Sequence, residues 1–198
     1  MPSPTLLVTG FDPFGGDSVN PAMEAVRALP DSIGNLAIAR AEELMASGHV
    51  PLTILCIGQA AGRAAITPEA IAINLREASI PDNAGNQLRA QPVIDGAPAA
   101  YFSTLPVREM VDAIRAAHLP ASLSLSAGAF VCNDLMYTLL HHFDRSDVRV
   151  GFVHIPALPA QVKEGMASMT LADSTRGLAA AIGVLSEPIW GENASKIE

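Results

Sequence analysis

Residues 5–16 read Thr5-Leu6-Leu7-Val8-Thr9-Gly10-Phe11-Asp12-Pro13-Phe14-Gly15-Gly16, and they set the class of fold. The first five residues form a short apolar run, which is typical of a buried strand. Turn-forming residues follow, and then Asn20 and Pro21 offer a cap and a first position for a helix that we expect to end near Leu29. Strand, glycine-rich loop and helix in this order predict the first unit of an α/β fold.

The composition indicates one globular domain with few classes of partner. The chain has 198 residues, 49% of them apolar, so we expect a single domain over residues 1–198 with a loose tail from about residue 186. Its 12 basic and 20 acidic side chains give a net charge of -8, and the basic residues are scattered, which argues against nucleic acid. No apolar run is long enough to cross a membrane, and no signal peptide is recognisable. The two cysteines form no disulfide framework, and we expect a reducing, cytoplasmic location.

The rest of the chain continues the alternation of strands and helices. Apolar runs predict strands at Leu52–Ile57, Ala70–Asn74, Tyr101–Leu105, Leu123–Ser126 and Val148–Pro156. Apolar residues at helical spacing, together with a capping box at Thr170, predict helices over Val107–His118, over Asp134–Phe143 and from Leu171 to about Leu185. Ligands in such folds collect beyond the carboxyl ends of the strands, so chemistry is expected there.

A cysteine stands directly before the predicted helix Asp134–Phe143, in the stretch Ser126-Ala127-Gly128-Ala129-Phe130-Val131-Cys132-Asn133. Amide donors and the positive end of a helix dipole lower the pKa of a thiol and favour the reactive thiolate. The alternative is that Cys132 is a small buried apolar residue, which is the commoner fate of a single cysteine. Cys56 lies inside an apolar run, and we expect it to be inert core.

A nucleophilic cysteine needs a base, and often a third group that orients the base. Of the five histidines, only His154 combines the end of a predicted strand with a turn directly after it, so Cys132 and His154 are the predicted pair. Several acids remain candidates for the third group. Glu69 stands at the start of a strand, whereas Asp134 is too near Cys132 in sequence to orient a distant histidine easily. A metal site is disfavoured, because the cysteines are isolated and no ligand spacing is present.

Two phenylalanines, Phe11 and Phe14, lie three residues apart in the first loop. One interpretation is that both rings turn inward and join the core, as loop aromatics commonly do. The other is that they form flat apolar walls for a small ring. The loop also resembles a phosphate cradle, but it lacks the spacing of a dinucleotide or P-loop motif.

Several blocks of the chain resemble the pyroglutamyl peptidase I family, the pyrrolidone-carboxylate peptidases, and they occur in the family's order. The blocks are Gly10 to Gly16 with Asn20-Pro21, Cys56-Ile57-Gly58-Gln59-Ala60, Ile66-Thr67-Pro68-Glu69, Ala72-Ile73-Asn74, Ile80-Pro81-Asp82-Asn83, Gly85-Asn86-Gln87, Ser126 to Tyr137, and Gly151-Phe152-Val153-His154-Ile155-Pro156. The resemblance spans nearly the whole chain, and several of the blocks are long and unusual.

This resemblance implies a three-layer α/β/α sandwich with a mixed, mostly parallel and twisted sheet. It implies a cysteine peptidase that hydrolyses the amide bond after an N-terminal pyroglutamyl (5-oxoproline) residue through a thioester. The nucleophile would be Cys132, the base His154 and the orienting acid Glu69. The family needs no metal and no organic cofactor.

The resemblance also assigns substrate contacts and partners. Phe11 and Phe14 match the aromatics that hold the pyroglutamyl ring, and Gln59 and Arg63 match residues near the site. The implied partners are pyroglutamyl peptides and further copies of the chain, in a dimer or a tetramer.

Some positions depart from the family pattern. The chain is shorter than family members between Ala37 and Leu52, and it carries Ala70, Ala129 and Asp134 where the family commonly has arginine, threonine and histidine. The main alternative is therefore a vestigial or non-catalytic protein that keeps the pyroglutamyl pocket. A nucleoside-phosphorylase-like enzyme would need a phosphate site, and the sequence shows none.

Overall fold

The structure is a computed structural model that describes residues 5–13, 17–29, 44–48, 52–81, 85 and 87–186. Its elements in chain order are β1 (Thr5–Thr9), α1 (Pro21–Ala28), β2 (Leu52–Gln59), β3 (Thr67–Glu69), β4 (Ile71–Ile73), β5 (Ala100–Phe102), α2 (Val107–Ala116), α3 (Val131–His142), β6 (Arg149–Ile155), a 3-10 turn (Pro159–Gln161) and α4 (Leu171–Ser186). The predicted helices and most of the predicted strands are present.

The main sheet has four strands in the order β1-β2-β6-β3. β1 and β6 each pair with β2 in parallel, whereas β3 pairs with β6 in antiparallel, so the sheet is mixed and mostly parallel. β4 and β5 form a separate antiparallel pair.

Side chains that alternate along the strands supply two cores, one on each face of the sheet. Leu55, Ile57, Val153 and Ile155 are buried on one face with apolar residues of α1, α2 and α4. Ile54, Cys56, Val150 and Phe152 are buried on the other face with α3. Helices on both faces of the sheet make the three-layer α/β/α sandwich, so the predicted fold class is confirmed.

The first loop is tied to the helix that follows it. Asn20 caps α1, because its side-chain oxygen accepts a hydrogen bond from the Ala22 amide at 2.9 Å. The Asn20 amide group also donates to the Asp12 carbonyl at 3.0 Å. The cap predicted from the sequence therefore also holds part of the glycine-rich loop.

The strand predicted at Leu123–Ser126 is wrong. Within the described residues, the segment makes one isolated parallel bridge, between Glu69 and Ser124, and a second bridge joins Ile66 to Ala121 just before it. Pro68 lies between these bridges and has no N–H to donate, which interrupts the hydrogen-bond ladder. The segment is nevertheless held beside β3, because the Ser124 amide donates to the Pro68 carbonyl at 2.9 Å.

Some expectations fall on other parts of the chain. Phe14, most of the shortened stretch after Ala37, and the tail beyond Ser186 lie outside the described residues. Within the described ranges, no helix combines the length and the apolar character needed to cross a membrane.

Candidate active site

The register of the main sheet places four residues on the face that α3 covers. Gly58 of β2 lies opposite His154 of β6, and Glu69 of β3 lies opposite Phe152 of β6. Because residues paired across strands point to the same face, and because His154 and Phe152 are two apart, all four share one face. Gly58 and His154 stand near the carboxyl ends of parallel strands, where α/β folds bind ligands.

Cys132 is the second residue of α3, so it lies within the first helical turn. The first intrahelical hydrogen bond runs from the Asp134 amide to the Phe130 carbonyl at 3.0 Å. The amides of Val131, Cys132 and Asn133 come before that bond, and no side chain caps them. Within the described residues, the first turn of α3 therefore carries Cys132 together with amides that have no intrahelical partner.

Gly58 lets this helical turn approach the sheet closely. A Cβ atom on Gly58 would lie 2.8 Å from the Phe152 ring and 3.2 Å from the Cys132 Sγ. The thiol therefore sits directly over the end of β2, beside the residue that is paired with His154.

Replacing Gly58 by alanine is expected to destabilise the protein by about 1–3 kcal/mol, because the new methyl group overpacks the contact with the Phe152 ring and the thiol. Denaturant unfolding measures this loss. Gly183 in α4 is the control, since a Cβ there would meet no atom of the described residues within 4 Å beyond its own stretch of helix. Alanine at Gly183 is expected to stabilise the helix by roughly 0.5–1 kcal/mol. Equal stability of Gly58→Ala and the wild type would contradict the close packing.

His154 and Glu69 form a buried hydrogen-bonded pair. His154 Nδ1 lies 2.7 Å from Glu69 Oε1, and the two residues are 4% and 0% exposed. An ionised carboxylate only accepts hydrogen bonds, so Nδ1 carries the proton and Nε2 is left as the basic nitrogen. The imidazole ring packs against Phe152 with the ring centroids 4.7 Å apart. One side of the Phe152 ring thus borders His154, and the ring edge borders Gly58.

The pKa of the Cys132 thiol is raised to about 12, mainly by burial and to a smaller extent by the charges of Cys56 and Glu69, while Arg63 lowers it. Burial therefore opposes the lowering of the thiol pKa that the helix start favours, and it is the larger effect. With a pKa of about 12, the thiol is expected to be protonated at neutral pH. Burial also raises the pKa of Cys56 to about 12, and its side chain is fully buried, in line with inert core.

The neutral thiol predicts how alkylation depends on pH. The rate constant for iodoacetamide at Cys132 is expected to rise about tenfold per pH unit from pH 6 to 10 with no plateau, because only the thiolate reacts. Peptide mass spectrometry of the modified residue measures the rate at Cys132 apart from Cys56. A plateau near neutral pH would instead indicate a preformed thiolate–imidazolium pair.

The four residues predicted to contact substrate differ in where they lie relative to the site. Phe11 reaches the site, since its ring centroid lies 5.9 Å from that of Phe152. Phe14 lies outside the described residues. Gln59 ends β2 and is half-buried, and in the described part of the chain no hydrogen bond joins its side chain to Cys132, His154 or Glu69. Arg63 contacts Glu69 instead, with 2.6 Å between its Nη1 and Oε1.

Asn133, next to the cysteine, is a fully buried residue whose role was not predicted from the sequence. Its side-chain oxygen accepts from the Ile73 amide at 2.9 Å, and its amide group donates to the carbonyls of Ile73 and Leu75 at 2.8 and 3.2 Å. These bonds fix the first turn of α3 against β4. An asparagine inside a helix is intrinsically unfavourable, and that was the available signal. Phe152 was also missed, although it lies in a block that was recognised.

Known proteins similar to this chain share its length and its fold. A family model described as pyroglutamyl peptidase matches residues 4–188. The chain belongs to the pyroglutamyl peptidase family. A pyrrolidone-carboxylate peptidase of Streptococcus suis is 47% identical over 199 residues, which cover 92% of each chain. One from Levilactobacillus brevis is 46% identical over 193 residues, covering 89% of this chain and 95% of the other.

Solved structures of the pyroglutamyl peptidase family give the same result. Pyroglutamyl peptidase I from Bacillus amyloliquefaciens superposes with a TM-score of 0.84 at 40% identity, covering 93% of this chain and 97% of the other. The pyrrolidone carboxyl peptidase of Fervidobacterium islandicum has a TM-score of 0.81 at 31% identity, with 92% and 98% covered. The family and the class of enzyme expected from the sequence are confirmed.

The three departures from the pyroglutamyl peptidase pattern are compatible with this site. The Ala70 amide donates to Ser124 at 2.8 Å, and the Ala129 carbonyl accepts from Glu77 at 2.7 Å, so these two positions are held through their backbones. Asp134 pairs with Arg76 at 2.6 Å. Within the described residues, no group of three or more His, Cys, Asp or Glu side chains is placed to hold a metal ion.

Proposed function

We propose that the chain hydrolyses the amide bond after an N-terminal pyroglutamyl residue, with Cys132 as nucleophile, His154 as base and Glu69 as the acid that orients the base. The observation that carries the proposal is the buried 2.7 Å bond between His154 Nδ1 and Glu69 Oε1, on the face where the thiol lies over Gly58. Membership of the pyroglutamyl peptidase family supports the same reaction. A base that is oriented by a carboxylate is what a neutral thiol requires.

The reaction begins when Cys132 Sγ attacks the exocyclic carbonyl carbon of the pyroglutamyl residue. The thiol proton passes to His154 Nε2 as the S–C bond forms, so no resting thiolate is needed. The tetrahedral intermediate collapses, the C–N bond breaks, and the imidazolium returns the proton to the departing amine. Water, deprotonated by Nε2, then attacks the thioester and releases 5-oxoproline and the thiol. The negative charge of Glu69 stabilises the imidazolium in both halves.

The unpaired amides in the first turn of α3 suit the developing oxyanion. Removing one donor of an oxyanion site in an enzyme typically costs about 3 kcal/mol in the transition state. Gly128, with φ at +82°, turns the chain before the helix, a backbone conformation that favours glycine. The same turn therefore presents both the thiol and the donors.

Recognition of the pyroglutamyl ring rests on aromatic surface. The substrate has no free α-amine, so the charged contact that ordinary aminopeptidases use has nothing to bind. Phe11 and Phe152 form a tilted aromatic pair beside the thiol, and Phe14 is proposed to complete the wall. A flat lactam ring buries its apolar faces against such rings.

Replacing Phe11 by alanine is expected to lower kcat/KM for a pyroglutamyl substrate by about 10- to 100-fold, because the ring loses one apolar wall. Steady-state kinetics and thermal unfolding are measured together. Phe102→Ala is the control, since Phe102 is 74% exposed on β5. A fall in melting temperature with unchanged kcat/KM would show that Phe11 is a core residue and does not bind substrate.

The proposed function is tested with pyroglutamyl-p-nitroanilide. The purified, reduced protein is expected to release p-nitroaniline, and iodoacetamide is expected to abolish the release. Prolyl-p-nitroanilide, which has an amine and lacks the lactam carbonyl, is the control and is expected to remain intact. Binding of 5-oxoproline without hydrolysis of the anilide would favour the vestigial protein instead.

A further inference from the structure

Glu69 binds two partners through one oxygen atom. His154 Nδ1 lies 2.7 Å from Glu69 Oε1, and Arg63 Nη1 donates to the same oxygen at 2.6 Å. Glu69 is fully buried, and within the described residues its Oε2 has no hydrogen-bond partner. The orientation of this carboxylate is therefore set by the imidazole and the guanidinium together.

Arg63 is itself held by the surrounding chain. Gly62, with φ at +87°, completes a tight turn in which the Arg63 amide donates to the Ala60 carbonyl at 3.3 Å. The guanidinium then donates to the Thr67 hydroxyl through Nη1 and to the Ser126 carbonyl at 3.0 Å through Nη2. Both terminal nitrogens thus have protein partners, and the arginine links β3 to the segment that leads into α3.

We propose that Arg63 is a positioning residue that acts through Glu69, holding Oε1 against His154 Nδ1, and that it does not contact substrate. The role rests on the proposed function, in which His154 is the base. A carboxylate without exposure to water needs a paired charge to stay ionised, and the planar fork of arginine supplies that charge with a fixed direction. The sequence resemblance placed Arg63 near the substrate. Its contact with Glu69 Oε1 instead lies on the Nδ1 side of the imidazole, away from the basic Nε2.

The electrostatics and the surface agree with this role. Among the charges that act on the Cys132 thiol, Arg63 is the one that lowers its pKa, against the larger effect of burial. The Arg63 side chain is 30% exposed. It borders an open groove of about 520 Å³ that is also lined by Thr67 and residues 122–126. When Arg63 is replaced by alanine, a small cation from solvent can therefore reach the position of the missing guanidinium through this groove.

The test uses Arg63→Ala with pyroglutamyl-p-nitroanilide. Misplacing the base by about 1 Å is expected to lower kcat by about 100-fold, with KM nearly unchanged. Added guanidinium chloride at millimolar concentration is expected to restore kcat at least about tenfold, since it can enter the groove and pair with Glu69. The control is Arg27→Ala, because Arg27 makes a comparable 2.7 Å pair with Glu24 on the surface. Neither the control nor the wild type is expected to respond to guanidinium.

A second comparison asks whether Arg63 acts through Glu69. Arg63→Ala combined with Glu69→Gln is expected to lose no more activity than Glu69→Gln alone, because both changes disrupt the same unit. Arg63→Lys, which keeps the charge and loses the fork, is expected to fall between Arg63→Ala and the wild type. It serves as the folded variant if alanine destabilises the protein. Additive losses in the double variant would overturn the proposal.

One readout is independent of turnover. The proton on His154 Nδ1 is expected to give a far-downfield NMR signal that is absent from His154→Asn. This signal is expected to disappear in Arg63→Ala and to return with guanidinium. A signal unchanged in Arg63→Ala, or a loss expressed in KM alone, would overturn the positioning role. If the wild type shows the signal but hydrolyses no anilide, the proposed function fails, and the NMR result still decides the role of Arg63.

Discussion

Cys132→Ser is expected to lower kcat for pyroglutamyl-p-nitroanilide by on the order of 10⁴- to 10⁶-fold, the loss seen when the nucleophile of a comparable catalytic unit is removed. The hydroxyl is a far weaker nucleophile than the thiol, because a serine hydroxyl is much harder to deprotonate. Stopped assays with high enzyme concentration measure the residual rate.

The fold of Cys132→Ser is expected to remain intact, because Cys132 is only partly buried and serine is slightly smaller and keeps the first turn of α3. Thermal unfolding should therefore match the wild type within a few degrees. Cys56→Ser is the matched comparison. Cys56 is fully buried, so its new hydroxyl is expected to lower stability. Activity retained by Cys132→Ser would overturn the nucleophile assignment.

Glu69→Gln is expected to lower kcat by about 10³- to 10⁴-fold with a small change in KM, as when the acid of a serine protease triad becomes an amide. The amide carries no charge to stabilise the imidazolium, and an amide N–H facing Nδ1 would place the proton on Nε2, where the base is needed. Kinetics at several pH values measure the loss.

Glu24→Gln is the control for that change. Glu24 is also paired with an arginine, at 2.7 Å from Arg27, but its side chain is 37% exposed on α1. Exposed pairs contribute little, so we expect kcat and stability close to wild type. If Glu69→Gln kept full activity, Glu69 would be a structural acid, and the role proposed for Arg63 would fall with it.

The neutral thiol affects how these variants are interpreted. In the proposed mechanism, proton transfer to His154 belongs to the attack itself, because the pKa of Cys132 is raised to about 12, mainly by burial. Any change that misplaces the imidazole should therefore reduce the rate of acylation rather than the binding of substrate. This is why the predictions for Glu69 and Arg63 separate kcat from KM.

Much of the architecture follows from local patterns. The apolar run Leu52–Ile57 became β2, the Asn20–Pro21 pair capped α1, and the helical spacing after Pro106 became α2. Such patterns depend on nearest neighbours along the chain, so one sequence reveals them. The strand predicted at residues 123–126 is wrong because its hydrogen-bond ladder depends on another element. Pro68 of that element has no N–H, so the ladder is interrupted.

The sequence by itself determined the order of the elements, the family, and the residue types that such chemistry needs, because these are properties of the chain and its motifs. Only the tertiary structure decided that Arg63 and His154 bind the same oxygen of Glu69, since this sharing depends on how three separate elements pack. The tertiary structure also decided the pKa of the Cys132 thiol. A helix start favours the thiolate, but Cys132 is partly buried over Gly58, and desolvation is the larger effect on the pKa of its thiol.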